Sequence, residues 1–480
     1  MDKVLRLLGM RYAIAALMLV AVAALYGAAT FSRPGEASEK GRETPVTHAL
    51  AVCPGHEGGR LAVQTLARKS GGGRVDLTPT KGGTPLGSVT SPGQGWSKDT
   101  EPGGDSSTLR ATGPIAGGLE AEQTAYEDGG DDRGLASTRC AAPGTDLWFL
   151  GPGPVAADEL DLYLTNVDAQ PASVDVSALS GEGPLDTTEG RGTPVEPYTT
   201  RVVRIGGSPE GLGDIVKTAA DLALRVRTTS GRVAASLRVR IGKKKGVEWL
   251  PRSAAPAASA LVPGVPGGSG GRRLLVAVPG EADARIRVQV IASAGAFAPQ
   301  GQDVLDAPGK TVTSVPLDGA LSGRAAAVRL VADRPILAGF AADRGADVAY
   351  GAATPPLSAT APGVVADNRF DASLSLTAPS GAASVQVTTL NAQGAGSPRQ
   401  VEIPAGRTVE TELTSPGGGA DASFGVVITP RPGSAPVYAS RMLATGKGGD
   451  HLFTVLPIVP APTTLRLPAT ADSQTALTPN

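Results

Sequence analysis

Three related units recur along the sequence, and this repetition constrains the fold more than any other feature. Segments that begin at Leu160, Leu274 and Leu374 read LDLYLTNVDAQPASVDVSAL, LLVAVPGEADARIRVQVIA and LSLTAPSGAASVQVTTLN. Each contains an alternating strand, a polar turn with Gly, Pro or Asp, and a second alternating strand. Such alternation is typical of half-buried strands, so we predict β-rich units that repeat along the chain.

Further pieces follow in the same order in every unit. The third strands read PYTTRVVRI from Pro197, APGKTVTSVPL from Ala307 and PAGRTVETEL from Pro404. Next come two β-rich arms around a turn, LALRVRTTSGRVAASLRV from Leu222, AAVRLVADRPILAGFAAD from Ala326 and FGVVITPRPGSAPVYASRML from Phe424. We predict that these arms form hairpins. Each unit closes on a proline-marked tail, at residues 248–251, 350–356 and 452–462.

The spacing and strand number of these units favour a mainly β protein with tandem immunoglobulin-like β-sandwich units after one N-terminal transmembrane helix. With 64 Gly, 40 Pro and only 4% aromatic residues, the composition also favours strands and turns over long helices. The predicted divisions are 1–31 (cytoplasmic stub and transmembrane helix), 32–150 (Gly-rich, partly disordered region closed by a disulfide), 151–265, 272–362 and 368–466 (β-sandwich units), and 467–480 (loose tail). Pro-, Ala- and Gly-rich segments at 253–271 and 354–367 are predicted to be semi-extended spacers.

An apolar stretch near the N-terminus predicts a membrane segment. No charged residue lies between Arg11 and Arg33. The part between Tyr12 and Ala29 is long enough to cross about 30 Å of hydrocarbon as a helix. We therefore expect the chain to contact a membrane through this stretch.

The flanking residues predict the orientation of that helix. Lys3, Arg6 and Arg11 precede it, and basic flanks stay in the cytoplasm. We expect a single-pass protein of the cell membrane whose C-terminal bulk lies outside the cytoplasm. The alternative is secretion after signal cleavage, because Gly27 and Ala29 are small residues of the kind that a signal peptidase prefers.

Cysteine and histidine are scarce in this sequence. Cys53 and Cys140 are the only two cysteines, and in an exported chain we expect them to form a disulfide. The only histidines are His48, His56 and His451. Zinc sites need four Cys or His ligands at regular spacing, so we predict no metal site and no cofactor.

An acidic and aromatic cluster is the candidate binding surface. It contains Asp146, Trp148 and Asp158, with Glu159 and Asp161 close by in sequence. Paired carboxylates beside an aromatic ring would suit glycoside hydrolysis. The alternative is that Trp148 fills the sandwich core and the carboxylates mark strand edges and turns.

Other patterns argue against catalysis and polyanion binding. A net charge of −1 gives no excess of positive charge that would attract nucleic acid. The match to G-x-S-x-G around Ser269 lies in a glycine linker, without the strand and helix that a nucleophile elbow needs. We find no catalytic constellation and expect that the protein is not an enzyme.

The stretch GLASTRC from Gly134 to Cys140 is distinctive, as are the residues Asp146 and Trp148 that follow it. Together with GRVAA from Gly231 and EWLP from Glu248, it resembles an actinobacterial family of membrane-anchored, exported proteins whose domain has no assigned function. The resemblance covers most of the chain. It implies a cell-envelope protein with β-sandwich modules and transfers no catalytic residue.

These patterns together favour a non-catalytic, membrane-anchored, extracytoplasmic β-sandwich protein of the bacterial cell envelope. By fold-level analogy we expect it to scaffold, or to bind, an envelope protein or a glycan. The alternative is an enzyme or accessory factor that acts on envelope polysaccharide. The residues leave the identity of the partner and the oligomeric state open.

Overall fold

The computed structural model describes residues 2–31, 42–55, 58–66, 72–185, 187–391, 394–416 and 423–467. The chain divides into two compact units, residues 1–44 with 465–480, and residues 45–464. We call them unit 1 and unit 2. Apart from Leu467, the predicted tail 467–480 lies outside the described residues.

The described residues of unit 1 contain one α-helix, α1 (Asp2–Phe31), which includes the predicted stretch from Tyr12 to Ala29. Strand β1 (Glu43–Pro45) pairs with the last strand of the chain, Thr464–Arg466. Among the described residues, no helix combines the length and hydropathy of a membrane span.

Unit 2 is built from antiparallel strands, which confirms the prediction of a mainly β protein. Its strands form four modules, A to D, each with two sheets. Module A contains β2 (His48–Cys53), β3 (Gly59–Gln64), β4 (Arg74–Pro79), β5 (Gly87–Val89), β6 (Trp96–Thr100), β7 (Ser107–Thr112), β8 (Glu120–Glu127) and β9 (Gly134–Arg139). Module B contains β10 (Asp146–Pro152), β11 (Glu159–Thr165), β12 (Ala172–Ser180), β13 (Gly183–Leu185), β14 (Thr193–Val195), β15 (Thr200–Arg204), β16 (Asp221–Ser230), β17 (Ala234–Arg240), β18 (Val247–Leu250) and β19 (Arg252–Ser253).

Modules C and D complete unit 2. Module C contains β20 (Ala257–Val265), β21 (Arg272–Ala277), β22 (Ala284–Ala292), β23 (Gly295–Phe297), β24 (Val304–Ala307), β25 (Val312–Pro316), the short helix α2 (Asp318–Leu321), β26 (Ala326–Arg344) and β27 (Asp347–Ala352). Module D contains β28 (Gly363–Val365), β29 (Asp371–Ala378), β30 (Ala383–Asn391), β31 (Gly394–Ala395), β32 (Arg399–Ile403), β33 (Arg407–Leu413), β34 (Gly425–Pro430), β35 (Tyr438–Thr445) and β36 (Leu452–Ile458). The chain leaves unit 2 through β37 (Thr464–Arg466).

All four modules share one strand order. In module A the sheets are β2-β7-β4-β5 and β6-β3-β8-β9. The equivalent strands are β10-β16-β12-β14 and β15-β11-β17-β18 in module B, and β28-β34-β30-β32 and β33-β29-β35-β36 in module D. Module C has β20-β26-β22-β24 and β25-β21-β26-β27, because its long strand β26 belongs to both sheets. The repeat predicted for three units therefore extends to a fourth.

The predicted hairpins are wrong in all three units. The two arms of each do not pair with each other: β16 pairs with β10 and β12, whereas β17 pairs with β11 and β18. The same holds for β34 and β35, and for the two halves of β26. The chain thus passes from one sheet to the other at these turns. A local turn signal specifies that the chain bends, but not which strand it pairs with afterwards.

The inner faces of the two sheets in each module enclose a hydrophobic core, as the sequence alternation predicts. On β12, Val174, Val176 and Ala178 are buried while Asp175 and Ser177 point away from the core. Each module has its own principal core of this kind. Period-two alternation therefore placed the core faces correctly.

Module A differs from the expected Gly-rich, partly disordered region. Its described residues form two four-stranded sheets around a core that includes Leu61, Leu77 and Leu109. The predicted disulfide joins Cys53, at the end of β2, to Cys140, just after β9. Glycines with positive φ, such as Gly113 and Gly118, occupy turns between these short strands. A Gly-rich sequence here marks tight turns between strands.

The segments predicted as spacers contain strands of the following module. Residues 253–271 include β20 of module C, and residues 354–367 include β28 of module D. The modules also bury side chains against one another. Trp148 and Leu150 on β10 pack against Leu275 and Leu337 of module C. After the exposed Asp146, the stretch LWFL (147–150) is continuously apolar because this part of β10 is buried on both faces.

The eighth strand of every module, β9, β18, β27 and β36, is an edge strand that meets its counterparts at the centre of unit 2. β9 contacts β18, β18 contacts β27, β27 contacts β36, and β36 contacts β9. Edge strands carry unpaired backbone groups that a buried environment has to satisfy. The centre of unit 2 is therefore a junction at which four sheet edges meet.

Candidate functional site

A cavity of about 850 Å³ opens at the C-terminal ends of these four edge strands. Every module contributes to its wall, through residues within 137–142, 249–256, 353–355 and 455–462. Residues of β2, β10 and β17 and of the turn before β8 also line it. The volume lies within the range of about 300–1,000 Å³ that is usual for ligand pockets. We call this the junction cavity.

The proline-marked tails predicted from sequence form much of this wall. Pro251, Pro355, Pro457 and Pro460 all line the cavity. Because proline lacks a backbone N–H, these residues add apolar ring surface to the wall without an unpaired backbone donor. The sequence signal at the tails was therefore correct in position, although it did not indicate that the tails converge.

The predicted surface residues Asp146 and Trp148 lie in the wall of the junction cavity. The Arg225 guanidinium donates to both carboxylate oxygens of Asp146, at 2.9 and 2.6 Å, and lies 5.1 Å from the ring centroid of Trp148. The hydrogen bond from Arg225 lowers the pKa of Asp146. Trp148 is only 7% exposed, so its indole is chiefly a packing group against module C.

The third predicted residue, Asp158, does not join them. It is exposed, and it precedes β11 without contributing to the cavity wall. The neighbouring carboxylates are occupied by arginines: Asp161 pairs with Arg204, and Glu159 pairs with Arg240. The acidic cluster that is compact in sequence is thus divided between two places in the fold.

Glu120 and Arg139 are a charged pair in the cavity wall that sequence reasoning missed. They lie on neighbouring strands β8 and β9 and form an ion pair. Burial raises the pKa of Glu120 to about 7, and the nearby Arg139 opposes this shift only in part. Alternating polar residues on β8 give no sign in sequence of which side faces a cavity.

Several polar atoms of the wall are buried without a hydrogen-bond partner. These are Oγ of Ser253, Oγ1 of Thr354 and Nη2 of Arg139. Arg252 also lines the cavity, where it donates only a long hydrogen bond of 3.4 Å to the carbonyl of Ala142. Unpartnered buried polar groups cost stability unless something bonds to them, so a ligand in the cavity that bonds to these atoms would remove part of that cost.

A buried polar network lies directly beneath the cavity. Ser137, which lines the cavity, bonds through its hydroxyl to Thr454 at 2.8 Å and to Arg441 at 3.3 Å. Its backbone N–H donates to Glu248 at 3.0 Å. Arg441 in turn pairs with Glu122. These residues come from three modules. Their side-chain hydrogen bonds connect the edge strands, which do not pair with one another through backbone hydrogen bonds.

Asp347 and Glu248 satisfy backbone groups of the neighbouring edge strands. The Phe453 N–H of β36 donates to Asp347 at 2.7 Å, and the Ser137 N–H of β9 donates to Glu248 at 3.0 Å. Burial raises the pKa of Asp347 to about 7 and the pKa of Glu248 well above its ordinary value. The junction therefore contains buried carboxyl groups that ionise at a higher pH than exposed carboxyl groups.

The described residues contain no group of three or more His, Cys, Asp or Glu that could hold a metal ion. His451 bonds to Arg344, and His48 is exposed, while His56 lies outside the described residues. The prediction of no metal and no cofactor stays a prediction.

Residues 97–414 match a family of unknown function (DUF5719). This range includes parts of modules A and D and all of modules B and C. No curated protein matches. One solved structure, the "Crystal structure of tetra-tandem repeat in extending region of large adhesion protein", is 16% identical, with 86% of this chain and 100% of that chain covered. Its TM-score is 0.08.

Proposed function

Since the chain belongs to the family of unknown function DUF5719, we propose that it is an extracytoplasmic binding protein of the cell envelope that holds its ligand in the junction cavity. We also propose that the modules are immunoglobulin-like β-sandwiches. This is supported by the strand pairing in each module, where the second strand pairs with the fifth and the third with the sixth, as in immunoglobulin sheets.

The location rests on sequence and on the disulfide. The uncharged run between Tyr12 and Ala29, with basic residues before it, favours a membrane anchor with unit 2 outside the cytoplasm. The Cys53–Cys140 disulfide is of the kind that persists in oxidising compartments. An enzymatic reporter that functions only outside the cytoplasm, fused after Asn480, is expected to be active. An inactive reporter in cells that contain the full-length fusion would contradict this location.

The observation that carries the binding function is the junction cavity itself. All four modules contribute residues to its wall, so one ligand there could contact each of the four modules. The wall is mainly apolar with a few polar groups, the usual character of ligand pockets. A binding role also gives a reason for buried hydroxyls at Ser253 and Thr354 that have no partner in the protein.

Photocrosslinking in intact cells tests the binding function. A photoreactive amino acid at Ala255, in the cavity wall, is expected to capture a ligand that the same residue at Gly280 does not capture. Gly280 is a matched control because a side chain there would meet nothing within 4 Å. Equal capture at both positions, or none at Ala255, would contradict the proposal.

One observation favours the alternative that the protein acts on envelope polysaccharide. A carboxyl group in a cavity with a pKa of about 7, such as that of Glu120, could serve as a general acid. Glu120→Gln would then abolish turnover of a polysaccharide substrate while retaining its binding. If the protein only binds its ligand, neither the wild-type protein nor this variant turns over the polysaccharide.

A further inference from the structure

The junction cavity has a chemical character that indicates its ligand, and this inference rests on the proposed binding function. Ser253 and Thr354 are 7% and 6% exposed, and neither hydroxyl has a hydrogen-bond partner in the protein. Nη2 of Arg139 is likewise without a partner. The amino group of a guanidinium can only donate, and hydroxyls can donate as well as accept. The wall therefore offers donors to a ligand with acceptor oxygens.

The charges of the wall favour an anionic ligand. Among the described residues, Arg252 has no carboxylate within ion-pair distance, whereas the acidic residues of the wall are matched. Asp146 is held by Arg225, and Glu120 by Arg139. With its pKa near 7, Glu120 is also partly protonated at neutral pH. Arg252 thus remains as an uncompensated cation, suited to a carboxylate or phosphate.

The remaining wall favours an apolar chain over a sugar. Apart from the polar Ser137, Thr138 and Ser236, it is formed mainly by aliphatic and proline residues from all four modules. Sugar sites usually present exposed aromatic faces for stacking, but Trp148 and Trp249 are buried, and Arg225 lies over Trp148. The cavity also lies where the chain enters and leaves unit 2, since Val46 and Pro462 are in its wall.

We propose that the junction cavity binds an amphiphile that has an apolar chain and an anionic head group, either carboxylate or phosphate. The chain packs against the aliphatic and proline wall. The head group binds the guanidinium of Arg252, and the hydroxyl of Thr354 bonds to an oxygen of the ligand.

Tryptophan quenching by dibromostearate measures this binding in the full chain, reconstituted in phosphatidylcholine vesicles. The chain has 3 tryptophans and none of them is in α1, so membrane-dissolved probe has no tryptophan to quench in that helix. In a Trp96→Phe background, the signal comes from Trp148 and Trp249 in the cavity wall. We expect saturable quenching that hexadecyl phosphate reverses. Hexadecyltrimethylammonium and inorganic phosphate should not reverse it.

Variants assign the head-group contacts. Arg252→Gln should weaken dibromostearate binding about tenfold or more, the loss expected for one charge-assisted hydrogen bond. Arg334→Gln, which removes an exposed arginine of module C, should leave it unchanged. Thr354→Val should weaken binding about threefold or more while raising the melting temperature, because it removes a buried hydroxyl without a partner. Thr193→Val removes another such hydroxyl outside the cavity and should raise stability alone.

Three results would contradict the proposal that the ligand is an anionic amphiphile. They are no saturable quenching, equal competition by the cationic amphiphile, and unchanged affinity in Arg252→Gln. If quenching fails while photocrosslinking at Ala255 captures a protein or a glycan, the binding function stands and only the amphiphile is wrong. If both experiments fail, the proposed function is wrong as well.

Discussion

Nη2 of Arg441 lies 3.3 Å from Oε2 of Glu122, and neither side chain is exposed to solvent. The two residues belong to β35 of module D and β8 of module A, and they are 319 positions apart in sequence. Arg441 also donates to the Asp367 carbonyl and to the Ser137 hydroxyl. This solvent-excluded ion pair, with its hydrogen bonds to backbone and side chains, links module D to module A.

Removing one partner of this ion pair should be strongly destabilising. Arg441→Met leaves the Glu122 carboxylate buried without its cation, which typically costs about 3–5 kcal/mol in the free energy of unfolding. Urea denaturation followed by circular dichroism measures this change. The double variant Arg441→Met with Glu122→Gln should lose less than the sum of the single variants, because it leaves no buried charge.

An exposed arginine provides the control for that substitution. Arg334→Met, in module C, should change the unfolding free energy by less than about 0.5 kcal/mol. Equal effects at Arg441 and Arg334 would show that the buried pair contributes nothing specific to the junction.

Stability should decrease as the pH rises from about 4 to about 8. Burial raises the pKa of Asp347 and of Glu120 from the usual carboxyl range to about 7, so the folded state binds protons that the unfolded state has already released. The stabilisation is complete below the unfolded pKa and is lost as the pH passes through the folded pKa. The change should be on the order of a few kcal/mol and is measured by urea denaturation across this pH range.

Asp347→Asn separates this effect from other titrations. The amide cannot ionise and keeps an oxygen that can accept from the Phe453 N–H. Its stability should therefore depend less on pH than that of the wild-type protein. A wild-type protein that becomes more stable between these pH values would contradict the raised pKa values.

The disulfide should contribute about 2–5 kcal/mol to the stability of module A. Cys53 and Cys140 enclose a separation of 87 residues, which their bond constrains in the unfolded chain. Replacing both with alanine should lower the melting temperature, and so should reduction of the wild-type protein. Reductant should have no effect on the double alanine variant. A wild-type melting temperature that is insensitive to reductant would be inconsistent with the bond.

Gly264 on β20 should not tolerate alanine. Its φ is +76°, and a Cβ added there would overlap the Ser440 side chain of module D. We expect Gly264→Ala to lower the unfolding free energy by more than about 2 kcal/mol, through backbone strain and the forced separation of modules C and D. Gly280→Ala is the matched control, since its Cβ would meet nothing within 4 Å. Equal stability of the two variants, in thermal unfolding, would argue against close packing at Gly264.

Local patterns predicted the strands and their buried faces well. The alternation of Val174, Val176 and Ala178 reads directly as one side of β12, because side chains of a strand alternate between its two faces. The same patterns misassigned the turns between β16 and β17 and between β34 and β35, where the chain changes sheets. They also failed for module A, whose short strands lack the repeat signature of the other three.

The candidate site could be predicted only in part. Asp146 and Trp148 were identified as site residues, and the structure places both in the wall of the junction cavity, while Asp158 lies elsewhere. Glu120 and Thr354 could not be found from sequence, because each belongs to a different module and no local pattern relates them.

The sequence by itself determined the repeated strands, the disulfide partners and the family. Each follows from short-range periodicity, from the presence of only two cysteines, or from a distinctive local motif. The tertiary structure alone decided that four modules join their eighth strands around one junction. Glu122, Glu248, Asp347 and Arg441 gain their roles only when distant strands dock and exclude water, since burial changes both their pairing and their protonation.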